Sequence, residues 1–209
     1  MKTRSTAWSS LGSIALPVVL ILAIPVVVVW AYIPSGSRAE QQQYAVYSAF
    51  LSERVINQWV ESNVPPASLH LVVESETRPH DPGLGWFFWR YAMLSKDMPS
   101  LRAASYIDFR LRDRDPRTLQ SKFDLPCSYE LISGDQLRAL ERDAGSFAKR
   151  FPNSPGDLRL SSVGFNRDFT QALFYADWFC PLCGGGQFIL MEKVGGQWQV
   201  AAESSNWIS

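Results

Sequence analysis

The sequence predicts an α+β domain carried behind one membrane-spanning helix. Three observations predict it: an uncharged apolar run near the N-terminus, apolar residues at helical spacing further on, and apolar–polar alternation through about the last fifty residues.

No charge occurs from Ser5 to Ser37, and residues 11–33, LGSIALPVVLILAIPVVVVWAYI, are almost wholly apolar. At about 1.5 Å per residue these 23 residues span roughly 34 Å, enough for a hydrocarbon core of about 30 Å. Pro17 and Pro25 are tolerated in a membrane helix, where freed backbone groups find local partners. Trp30 and Tyr32 suit the interface, and Lys2 and Arg4 before the run put the N-terminus in the cytoplasm. The expected order is a cytoplasmic tail (1–10), a transmembrane helix (11–33) contacting the lipid bilayer, a linker (34–39) and one extracytoplasmic domain (40–209), periplasmic or extracellular. A cleaved signal peptide ending near Ser35-Gly36-Ser37 competes with this reading, but its apolar core is typically about 7–15 residues.

Composition narrows the partners. The chain holds 20 basic and 20 acidic residues, and its eight tryptophans and twelve phenylalanines argue for a packed core. Without a basic excess, a nucleic-acid partner is not expected. The charge run at 108–117, DFRLRDRDPR, neutralises itself locally and reads as a solvated helix end.

In the domain, Tyr44, Tyr47, Phe50, Leu51, Val55 and Trp59 recur at helical spacing and predict a helix over 40–60, stopped at Pro65-Pro66. Residues 68–76 predict a strand whose second face, His70, Val72, Glu74 and Glu76, reads as the wet face of an edge strand. Residues 86–94, WFFWRYAML, predict a core helix, with docking on a membrane surface as the other reading. Short elements follow at 100–111 (helix) and 129–132 (strand), then one helix over 135–151 before Pro152. Residues 158–165, 171–179, 187–193 and 197–204 predict a four-stranded antiparallel meander with one face in the core, closed by the Gly195-Gly196 turn. The expected fold is therefore helices packed on an antiparallel sheet.

Cys180-Pro181-Leu182-Cys183 precedes Gly184-Gly185-Gly186. In an oxidising compartment a disulfide that shapes a hairpin loop is the first reading. Redox chemistry is the second, although no helix follows to lower a thiol pKa. Zinc lacks two further ligands, since only His70 and His80 are available and both are distant. The glycines form a loop in this reading, able to act as an anion-binding nest. Cys127 is left as a buried thiol, a partner for one of the pair, or an intermolecular link.

No GxSxG, HExxH or GxGxxG occurs, and the SxxK at Ser146–Lys149 lacks its companion motifs. His70, Glu74 and Glu76 are candidates for an acid–base cluster. No catalytic residue, metal ligand or cofactor site is assigned.

The C-terminal part resembles an uncharacterised family of exported bacterial proteins. The matching residues are Pro152-Asn153-Ser154, the run 160–166 (LSSVGFN), Gln171-Ala172-Leu173, Tyr175, Cys180 and Cys183 to Gly186, Glu192-Lys193, Gly196, Trp198 and the closing Trp207-Ile208-Ser209. Pro181 departs from that pattern. The resemblance implies an exported domain with a genuine CxxCGGG feature and carries no activity. The function expected is a membrane-tethered, non-enzymatic domain that binds an envelope protein or a small ligand. A thiol–disulfide protein using Cys180 and Cys183, and a hydrolase with a dispersed site, are the alternatives.

Overall fold

The computed structural model describes residues 36–61, 63–80, 87–143, 145–180 and 183–208. The expected transmembrane helix lies outside these residues. Among them, no helix is long and apolar enough to cross a membrane.

The domain opens with α1 (Ser37–Phe50), which starts inside the stretch expected to be linker. A π-helical turn (Leu51–Ile56) and α2 (Asn57–Glu61) continue it. After Pro65-Pro66 comes β1 (His70–Glu74), then α3 (Phe87–Asp97), α4 (Ala103–Arg112), β2 (Ser128–Ile132), α5 (Gly134–Arg142) and α6 (Ser146–Arg150). The remainder is β3 (Asp157–Leu160), β4 (Gly164–Phe165), β5 (Gln171–Cys180), β6 (Cys183–Val194) and β7 (Gln197–Ile208).

The fold class is α+β, but the sheet is mixed, not antiparallel. Its seven strands run β2-β1-β3-β5-β6-β7, with β4 also on β5. β1 pairs in parallel with both β2 and β3. It is therefore an interior strand, and Val72 and Glu74 are buried instead of forming a wet face. The helices between these strands supply the crossovers that parallel pairing requires. The expected strand over 158–165 is two short strands, both on β5. The expected helix over 135–151 is also two, broken before Gly145 at φ +90°. Its first half is capped by Ser133 and Gln136, which satisfy each other's backbone N–H groups.

Both faces of the sheet are covered. On one, Tyr44, Tyr47, Phe50 and Leu51 pack on Leu71, Val73, Leu158, Phe174 and Ile189. On the other, two separate apolar clusters form. Leu94, Met98, Tyr106 and Phe109 cover Leu173, Tyr175, Phe188 and Leu190. Leu137 and Phe151 cover Val72 and Ile132. Burial of alternate residues on both sides makes β5 apolar without a break from Ala172 to Ala176.

Two expectations about surface and core reverse. The first half of the charge run at the end of α4 turns inward, while Arg114, Asp115 and Arg117 stay exposed as expected. Asp108 accepts the Phe165 N–H at 2.7 Å, and Asp113 accepts the N–H groups of Ser162 at 3.2 Å and His80 at 2.8 Å. These carboxylates satisfy backbone donors around β4 and the loop after β1, which alternation of charge along the sequence could not reveal. In α3, by contrast, Leu94 is buried, but Phe88 is 84% exposed, Trp89 52% and Met93 43%. The aromatic helix touches the core along one narrow stripe.

Candidate functional site

The site forms where α1 gives way to the π-turn over the far end of the β5–β6 hairpin. A π-turn shifts side-chain register by one residue, and such turns recur at functional sites. Here it holds Glu53 against the sheet edge, where its carboxylate accepts the Val200 N–H at 3.0 Å. Val200 adjoins a bulge in β7: Met191 pairs with Val200 and Leu190 with Ala202, leaving Ala201 extra. The bulge reverses the alternation. Val200 packs on the α1 side, and Ala202 packs on the opposite side with Leu190, although all three of Trp198, Val200 and Ala202 have one parity in sequence.

Beside this contact lies a cleft of about 350 Å³. Phe50, Val55, Leu158 and Ala176 supply apolar lining, Trp59 and Trp178 supply indoles, and Arg54, Gln58, Gln187 and Glu203 supply polar groups. Arg54 Nε stands 2.9 Å from Glu203 Oε1 across the lip, joining the π-turn to β7. A volume at the lower end of the roughly 300–1,000 Å³ range, apolar lining and a few polar groups are the marks of a small-molecule site. A wider groove of about 800 Å³ runs along the length of α1, but small and charged side chains such as Ser37, Glu40, Ser48, Ser52 and Lys122 line much of it.

The CxxCGGG segment builds this end of the sheet. Cys180 and Cys183 are cross-strand partners that close the β5–β6 ladder, and Cys180 lines the cleft. Directly paired antiparallel residues hold their Cα atoms about 4.5–5.5 Å apart, within the span a disulfide needs. Gly184, Gly185 and Gly186 are not a loop. They lie in β6, paired with Phe179, Trp178 and Asp177. A Cβ on Gly185 would meet the Trp178 ring, with Cζ2 at 2.8 Å. The bare backbone therefore lets this indole lie across β6 at the cleft.

Gly186 does the same on the opposite face, where a Cβ would strike Tyr175 Oη, Asp177 Oδ1 and Trp207 Nε1. Around them runs a charged belt that separates the two apolar clusters of that face. Arg159 pairs with Asp157 at 2.8 Å, with Glu141 and, at 3.9 Å, with Glu74, which also meets Arg78 at 3.1 Å. Burial raises the carboxyls of Asp157 and Asp177 from their ordinary value despite these cations. It also pushes the Tyr175 phenol up to about 12. The belt sets four carboxylates against two arginines and ties β1, β3, β5, α5 and β7 together.

The remaining sequence candidates do not converge. His70 Nδ1 meets Ser128 Oγ at 2.9 Å and the ring stacks on Phe151, whereas Glu74 faces the arginines and Glu76 joins Thr118 in an isolated bridge. Cys127 is a free, half-buried thiol packed against the α1-side core, and burial raises its pKa. No group of three or more His, Cys, Asp or Glu that could hold a metal occurs among the described residues. Sequence reasoning did not assign Arg54, Trp59, Trp178, Gln187 or Glu203 to a site. The available signal was a glycine run facing a tryptophan across one hairpin.

The fold and the cleft define an α+β domain with a small-molecule-sized recess. Comparison with known protein families, curated proteins and solved structures finds no match.

Proposed function

We propose that the chain is a membrane-tethered, extracytoplasmic, non-enzymatic domain that binds a small ligand. The observation that carries this reading is the cleft over Trp178, walled by Phe50, Val55 and Trp59 and rimmed by Arg54, Gln187 and Glu203. The apolar run 11–33 supports the tether, and the resemblance to exported proteins supports the location. A disulfide between Cys180 and Cys183 is part of the same reading: it would lock the hairpin end on which the Trp178 platform rests. The second reading, thiol–disulfide exchange, draws support from the position of Cys180 on the cleft wall.

The test is a ligand-observed ¹⁹F NMR screen of fluorinated aromatic and alicyclic fragments against the full chain in lipid nanodiscs. The control is Val55→Trp, which fills the cleft. Fragments that broaden with the native chain and not with the variant are the expected result. A screen in which no fragment distinguishes the two proteins would rule out the cleft as a binding site.

A further inference from the structure

We infer that the ligand of this cleft is a neutral saccharide. The inference rests on the ligand-binding reading above and narrows it to one chemistry. A sugar ring has an apolar C–H face and a periphery of hydroxyls, each both donor and acceptor. It therefore needs a flat, polarisable surface beneath and mixed donor–acceptor groups at the edge.

The cleft offers both. Trp178 lies on the bare backbone of Gly185 and borders the recess, and Trp59, 37% exposed, borders it from α2. An indole is a rigid, broad surface that loses little entropy on binding. At the edge stand Gln58 and Gln187, whose amides each carry donors and an acceptor.

The charges point the same way. Arg54 and Glu203 neutralise each other at 2.9 Å. The lining thus presents no net positive field to recruit a phosphate or carboxylate, and its one exposed cation already has a counter-ion. A lipid-like chain would desolvate the Gln187 amide and the Arg54–Glu203 pair and offer no polar group in exchange, at a cost to affinity.

Calorimetric titration of the full chain in nanodiscs with chitotetraose and with cellotetraose tests the inference, alongside Trp59→Ala and Trp178→Phe. Trp59 is at the surface, so its replacement leaves the fold intact, and Trp178→Phe retains an aromatic ring. Binding of at least one tetrasaccharide, weakened about tenfold by Trp59→Ala and less by Trp178→Phe, is expected. If fragments bind in the cleft but neither tetrasaccharide does, the saccharide assignment is wrong and ligand binding stands. Saccharide binding unaltered by either variant would place the sugar elsewhere and also overturn the assignment. If neither fragments nor saccharides bind, the reading of the cleft itself falls.

Discussion

The Trp207 indole N–H donates to Asp177 Oδ1 at 3.0 Å, beside a backbone that has no side chain at Gly186. The pair fastens the end of β7 to β5 across the intervening strand β6, and it exists only because the middle residue is glycine.

Gly186→Ala should therefore be destabilising by about 1–3 kcal/mol, because the new methyl displaces three polar groups at once. Gly185→Ala meets only the Trp178 ring and should weaken ligand binding more than stability. Denaturant midpoints and fragment affinities measured on both variants separate the two effects. Equal midpoint losses would remove the distinction.

Stability should fall as pH rises above the ordinary carboxylate range. Burial raises the folded pKa of Asp177 and Asp157 above the ordinary aspartate value, so over this range the native state binds more protons than the unfolded chain. Their unfavourable contribution is absent below the unfolded value, develops through the raised folded value and is complete above it. Asp177→Asn keeps an acceptor for Trp207 and should flatten this slope just above the ordinary aspartate range. Unchanged slopes in urea titrations across that range would refute the assignment.

Glu53→Ala should leave the Val200 N–H without its acceptor, at about 1–3 kcal/mol, whereas Glu53→Gln retains most of the contact. Amide exchange at Val200 should accelerate in the first variant alone.

Differential alkylation of the chain taken from its native cells should find Cys180 and Cys183 bridged and resistant to reduction below about −300 mV, with Cys127 reactive chiefly on unfolding. A pair that titrates between about −270 and −120 mV would instead make thiol exchange the leading function.

The full chain should stay with membranes through an alkaline wash, and a chain lacking residues 1–33 should not. Release of a chain shortened by about 35 residues would show cleavage of the apolar run, and release at full length would refute the anchor.

Much of this architecture was readable from local pattern. The α1 periodicity and the β5–β6–β7 hairpins follow from spacing and from Gly195-Gly196, since each is settled by near neighbours. The parallel pairing of β1 was not readable, because its partners Ser128–Ile132 and Asp157–Leu160 lie far along the chain. Burial of Asp108 and Asp113 was hidden because their partners are backbone N–H groups, which leave no mark on composition. The candidate site was half visible. The cysteines and glycines stood out, yet Gly184 to Gly186 read as a loop because glycine usually marks one. Only the register shows that they are strand residues thinned to make room for Trp178, Asp177 and Tyr175.

The bulges of β7 have a further consequence, at the level of the population of molecules. β7 is the last strand of its sheet, and it is interrupted between Gly186 and Gln187 of its partner and again between Leu190 and Met191. Gln197, Gln199, Ser205 and Asn206 face solvent along it. A straight outer strand of twelve residues would template the addition of strands from other copies. Two breaks in the hydrogen-bonding rhythm and a polar outer surface deny an incoming chain any continuous register, so the sheet stops growing at β7.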